Sequence, residues 1–143
     1  MIEGGGCSTC KKENFIQGEQ VRELKTGVAF GGRTYYCSLE LALELMGGKW
    51  KMMLLYQLRR GPLRSSELQR RLRDISGKMF TQTARTLERA GLISREIFPV
   101  VPPRVEYSLT RLGESAIPVI MQMGYWGEAV AAVDSPGLKK EDC

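Results

Sequence analysis

Apolar positions recur at helical spacing along much of the chain. Leu39, Ala42, Leu43 and Met46 lie three and four residues apart, which predicts a first helix opening at Ser38. Ser38 is placed to cap it, Glu40 falls in its first turn, and Gly47-Gly48 ends it. A second helix over 49–60 carries Trp50, Met53, Leu54 and Leu58 on one stripe. Met52, Leu55 and Tyr56 widen that stripe, so contact on more than one side is expected. Gly61-Pro62 stops it, and Leu63-Arg64 is a short extended step. Ser66 is placed to cap a third helix over 66–73, with Leu68 and Leu72 facing inward. Asp74-Ile75-Ser76-Gly77 then forms a tight turn before a fourth helix over 78–90, which Gly91 closes.

After Gly91 the period changes. A run over 93–98 is rich in strand formers, and Val105, Tyr107 and Leu109 alternate with Arg104, Glu106 and Ser108. Val100-Val101-Pro102-Pro103 lies between them as a stiffened turn, so the two runs form a hairpin. A last helix opens at Thr110 or Gly113 and runs to about residue 133. This order of elements is mainly α with a small β-hairpin wing, an α+β arrangement of the winged helix-turn-helix kind. Residues 1–34 are rich in glycine and lack a sustained stripe. They are expected to form a flexible arm, with at most a turn or two of helix around Val21 and Leu24. Residues 35–133 are the domain, and 134–143 a polar tail.

The 143 residues suit one domain. The chain has no histidine, which excludes a Ser-His-Asp triad, a Cys-His dyad and any His-ligated metal site within it. Nothing in the pattern calls for catalysis or a cofactor. No apolar run reaches the roughly 18 residues a membrane span needs. Residues 1–6 lack the basic start and apolar stretch of a signal peptide. A cytoplasmic location is therefore expected. Charge sharpens the picture. Residues 49–111 carry 14 basic and 5 acidic side chains out of 21 and 16 in the whole chain. A basic middle between acidic flanks suits a polyanion. A well-solvated surface is the alternative.

The fourth helix narrows that choice. Phe80, Ala84 and Leu87 share one face, and Lys78, Thr81, Gln82, Arg85 and Arg89 share another with no acid among them. Glu88 lies farther along, away from the contact end at the helix start. Cations suit guanine edges and phosphates, and glutamine pairs with adenine. A threonine suits a phosphate or a thymine methyl. Lys78, Thr81, Gln82 and Arg85 are thus the candidate DNA contacts. In the hairpin, Arg104 stands beside the proline turn and is the candidate DNA contact of the wing, with pairing to Glu106 or another surface acid as the alternative.

Larger pieces carry a family resemblance. Cys37-Ser38-Leu39-Glu40, Gly47-Gly48-Lys49-Trp50-Lys51, Ile75-Ser76-Gly77-Lys78-Met79 and Gly91-Leu92-Ile93 are four of them. The run from Pro99-Val100-Val101-Pro102-Pro103 through Arg104-Val105-Glu106-Tyr107-Ser108-Leu109-Thr110 and the later Trp126-Gly127 complete the match. Over roughly residues 35–128 the chain resembles the HxlR-type winged-helix transcription regulators of bacteria. The resemblance implies a homodimer on a short inverted-repeat operator, joined through its first and last helices. In the last helix that role falls to Ile120, Met123 and Trp126. Repression is the default, since no segment reads as a module that recruits polymerase. Two departures stand out. Ser65-Ser66 replaces a usual bulky aromatic and small polar residue, and the arm is longer than the family's usual start.

The four cysteines are Cys7, Cys10, Cys37 and Cys143. Cys37 matches a position that several members of this family use to sense oxidants or electrophiles. Helix N-termini and nearby cations favour thiolates. The alternative is a small buried side chain beside Tyr35 and Tyr36. Cys7-Ser8-Thr9-Cys10 has redox or metal-ligand spacing, although a lone pair of thiols does not complete a zinc site. Two rival readings follow: a winged helix that binds protein instead of DNA, and a thiol redox protein using Cys7 and Cys10.

Overall fold

A computed structural model describes residues 22–133. The first part of the expected arm and the expected polar tail lie outside the described residues. The described chain begins with a hairpin that the sequence pattern did not predict. Strand β1 (Thr26–Phe30) pairs antiparallel with β2 (Arg33–Cys37), from Thr26 opposite Cys37 to Phe30 opposite Arg33. The two linking residues, Gly31 and Gly32, both have positive φ (57° and 78°). That is the backbone of the tight hairpin turn whose twist suits antiparallel strands. A Gly-Gly pair between two runs of β-branched and aromatic residues was the available signal. The hairpin therefore runs across the expected arm boundary at residue 34, and residues 22–25 form no helix.

Helix α1 (Ser38–Met46) follows directly, with Cys37 and not Ser38 at its N-cap. Helix α2 (Lys49–Gln57) tightens into a 3₁₀ turn at Leu58–Arg60. Its inward side is Leu54, Leu55 and Leu58, all fully buried, whereas Met53 is exposed. Strand β3 (Leu63–Arg64) leads into α3 (Ser65–Arg71), whose N-cap is Arg64 in place of the expected Ser66. Helix α4 (Gly77–Arg89) comes next, then β4 (Ile93–Phe98), β5 (Arg104–Leu109) and α5 (Arg111–Val133). The three later strands form one antiparallel sheet in the order β3-β5-β4. Leu63 lies opposite Tyr107, and the β4–β5 ladder runs from Ile93–Leu109 to Phe98–Arg104.

The core of this unit, residues 23–117, draws on α2 to α4 and the three-stranded sheet. Leu68, Leu72, Ile75, Phe80, Ala84, Leu87 and Leu92 are buried, with Ile93 and Tyr107 from the sheet. Phe80 packs edge-on against Tyr107 at 6.1 Å between ring centres, which couples α4 to β5. The start of α5 is fixed by a close approach. A side chain at Gly113 would sit 2.0 Å from the Leu92 carbonyl oxygen, so only glycine fits. Thr110 Oγ1 accepts from the Gly113 N–H at 3.1 Å and so caps the helix.

The remainder of α5, from Pro118, belongs to a second unit. Pro118 lies within the helix. In this segment Ile120 is buried, whereas Met123 and Trp126 are exposed.

Candidate nucleic-acid interface

Helix α4 is presented by a short turn whose local chemistry is legible. Asp74 takes a left-handed backbone (φ 59°), reversing the chain after α3. Ser76 then caps α4, its Oγ accepting from the Met79 N–H at 3.1 Å. On the inner side Phe80, Thr83, Ala84 and Leu87 are buried. On the outer side Lys78, Met79, Thr81, Gln82, Arg85, Glu88 and Arg89 are exposed. The stripe Lys78, Thr81, Gln82 and Arg85 therefore lies together on one open face, beginning at the helix N-terminus where backbone N–H groups attract phosphate.

Electrostatics separate this face from its neighbours. Among the described residues the ion pairs are Arg33–Glu44, Arg70–Glu67, Arg71–Glu67 and Arg104–Glu106. None uses Lys78, Arg85 or Arg89. Two cations of α3 are shared with Glu67, while those of α4 make no ion pair with a carboxylate. Thr81 is partly committed: its Oγ1 donates to the Gly77 carbonyl at 2.9 Å. Its one hydroxyl proton is spent within the helix, so the side chain offers a methyl group and acceptor lone pairs, not a donor for phosphate. Met79, 40% exposed in the first turn, also belongs to this face. Its position in the sequence gives no sign of that, because a methionine at helical spacing reads as core.

The hairpin of β4 and β5 carries two cations: Arg95 is exposed with no ion pair among the described residues, whereas Arg104 is engaged. Arg104 lies against its own hairpin. Its guanidinium lies 4.4 Å from the centre of the Phe98 ring, and Nη2 is 3.8 Å from Glu106 Oε2. Nε is enclosed without a hydrogen-bond partner. At the tip, Val100 and Val101 are exposed, Val101 completely.

Cys37 is half-buried at the junction of β2 and α1. Two hydrogen bonds fix that junction. The Ser38 N–H donates to the Lys25 carbonyl, and Glu40 Oε2 accepts from the Tyr36 N–H. The side chain that a hydrogen bond fixes there is the Glu40 carboxylate. On the other side of the junction, Glu44 joins β2 to α1. Its carboxyl is held below the ordinary range chiefly by a hydrogen bond from Tyr35, assisted by Arg33 and opposed by burial. The same bond raises the Tyr35 phenol. Cys7, Cys10 and Cys143 lie outside the described residues. Among the described residues no group of three acids or thiols could hold a metal ion. No described helix is long and apolar enough to cross a membrane.

Comparisons with known proteins agree on one family. The family model described as HxlR-like helix-turn-helix matches residues 45–135. An HTH-type transcriptional regulator of Methanothermobacter thermautotrophicus is 48% identical over 103 residues, 72% of this chain and 79% of the relative. The HTH-type transcriptional regulator YkvN of Bacillus subtilis is 47% identical over 95 residues, 66% of this chain and 80% of its own. Among solved structures, the redox regulator HypR in its oxidised form matches with a TM-score of 0.62 at 42% identity. That match covers 65% of this chain and 96% of HypR. An exposed basic face on the second helix of a helix-turn-helix and these relatives lead to the same conclusion: the chain belongs to the HxlR-like helix-turn-helix family and is a DNA-binding regulator of transcription.

Proposed function

We propose that the chain works as a homodimeric repressor on an inverted-repeat operator, with α4 in the major groove. The observation that carries this is the open stripe of Lys78, Thr81, Gln82 and Arg85, whose cations have no carboxylate partner among the described residues. Lys78 lies at the helix start and suits a phosphate. Gln82 and Arg85 suit adenine and guanine edges. Thr81 suits a thymine methyl, since its hydroxyl proton is engaged.

Exposed apolar side chains support the dimer. Helix α1 buries no residue fully, and Leu39 and Leu43 on it are exposed. In α5, Met123 and Trp126 are exposed as well. A second copy would cover such surfaces, and two recognition helices would then address half-sites roughly 34–36 Å apart. Ile120 is already buried and contributes less to that contact.

Cys37 adds a thiol response. It stands at the N-cap of α1, the element assigned here to the dimer, so oxidation would alter the spacing of the two α4 helices. The likeness to HypR, a redox regulator, supports this reading.

The test is selection of duplexes from a randomised pool by the wild-type protein, followed by titration of Arg85→Ala. A base contact predicts a loss of about 1–3 kcal/mol on the selected duplex and little loss on unrelated DNA. Equal loss on both would make Arg85 a phosphate contact. Wild type and Cys37→Ser, each reduced and diamide-treated, complete the experiment. Loss of binding only in oxidised wild type is expected.

A further inference from the structure

The wing carries an unusual division of labour for a DNA-binding hairpin. Residues 96–103 contain no Lys or Arg, although the surrounding chain is basic. The tip is apolar and open: Val101 is completely exposed and Val100 half exposed. The nearest cation, Arg104, flanks the tip in the last pair of the ladder, opposite Phe98. It is stacked on the Phe98 ring and drawn toward Glu106, with Nε enclosed. Reaching a phosphate would break the stack and strip Glu106 of its partner. The wing is also coupled to α4 through the Phe80–Tyr107 contact, so DNA held by α4 meets a hairpin of fixed position.

We propose that the wing meets the minor groove through Val100 and Val101, packed on its sugar walls, and that Arg104 is a positioning residue that braces the hairpin against Phe98. Apolar side chains are a known means of minor-groove contact. The proposal rests on the DNA reading above and gives the tip and the ladder pair that closes it separate roles. Val100 and Val101 supply contact, and Arg104 supplies shape.

The two roles differ in salt dependence. The probe is the duplex recovered by wild type from the randomised pool, titrated across a salt series. Replacing both valines by serine should weaken binding about tenfold, through apolar area no longer buried. The slope of log K against log salt should not change, because no counterion release is lost. Hydroxyl-radical protection of the minor groove beside each half-site should disappear. Arg104→Gln should also weaken binding at constant slope, and Arg104→Lys should not rescue it, because a lysine lacks the planar group that stacks. Val101 is wholly exposed, so the valine variant should melt like wild type. Unchanged affinity of the valine variant would overturn the apolar contact. A slope reduced by about one in Arg104→Gln, restored by lysine, would make Arg104 a phosphate ligand instead. Recovery of no duplex by wild type would overturn the DNA reading itself and the wing proposal with it.

Discussion

Helices α1 and α4 are both amphipathic by sequence, and the structure uses them in opposite ways. Helix α4 buries its apolar side completely and turns its polar side to solvent: Phe80, Ala84 and Leu87 are inside, and Lys78, Gln82 and Arg85 are outside. Helix α1 buries no residue fully and leaves Leu39 and Leu43 exposed. One helix is finished by its own domain. The other leaves apolar surface open, which the proposed second copy would cover. Exposed apolar residues on a helix of this size mark a protein contact, whereas exposed cations without paired acids mark a polyanion contact.

Truncating each helix tests that contrast, and the core of α4 should respond most. Leu87 is fully buried, so Leu87→Ala should cost about 2–5 kcal/mol in denaturant unfolding. Leu43→Ala on α1 should cost far less in a dilute monomer, which would confirm that the two apolar faces are not equivalent. Next comes the assembly itself. A Leu39→Glu, Leu43→Glu double variant should shift sedimentation from dimer to monomer, with at least tenfold weaker association, about 1.4 kcal/mol. A dimer unchanged by that variant would place the contact elsewhere.

The N-cap of α4 should follow. Ser76→Ala removes the acceptor for the Met79 N–H and should lower stability by about 1 kcal/mol, read as a shift in unfolding midpoint. The N-cap of α1 offers no such handle, because Cys37 makes no side-chain capping bond.

The smallest expected effect is on pH, and it falls on the α1 side alone. Glu44 has its carboxyl lowered below the ordinary 4.5 by Tyr35 and Arg33. The stabilisation is therefore complete above 4.5 and is lost as pH falls through the lowered value. Tyr35 is raised above 10.0, so its share is present below 10.0 and is lost as pH climbs through the raised value. Hydrogen exchange of Tyr35 and Tyr36 amides should be slowest between those limits, relative to amides of α4 at the same pH. Glu44→Gln should flatten the acid side of that profile.

Much of the site is legible in the chain's own pattern. Periodicity places Lys78, Thr81, Gln82 and Arg85 on one face, and the ladder from Ile93 to Leu109 is visible in alternation and prolines. These are local properties: 3.6 residues per turn and the two-residue pleat assign faces without knowledge of neighbours. Caps are less legible, because Ser38 and Ser66 lie one or two residues from the caps that form, and several small polar side chains compete within a turn. The hairpin over 26–37 escapes the pattern for a different reason. Two strands alone are marginal in water, and this pair is secured by burial of Tyr35 beside α1 and by the Arg33–Glu44 ion pair, which no local pattern announces.

The sequence by itself thus determined the class of fold, the exposed polar face of α4 and the basic character of the middle of the chain, because each follows from spacing and charge within a few turns. The tertiary structure alone decided which cations stay open and which apolar faces stay uncovered. Arg104 shows why: whether it meets solvent, Glu106 or the Phe98 ring depends on a ladder register that sets side chains opposite one another. Charge is counted along the chain, whereas pairing is settled across it.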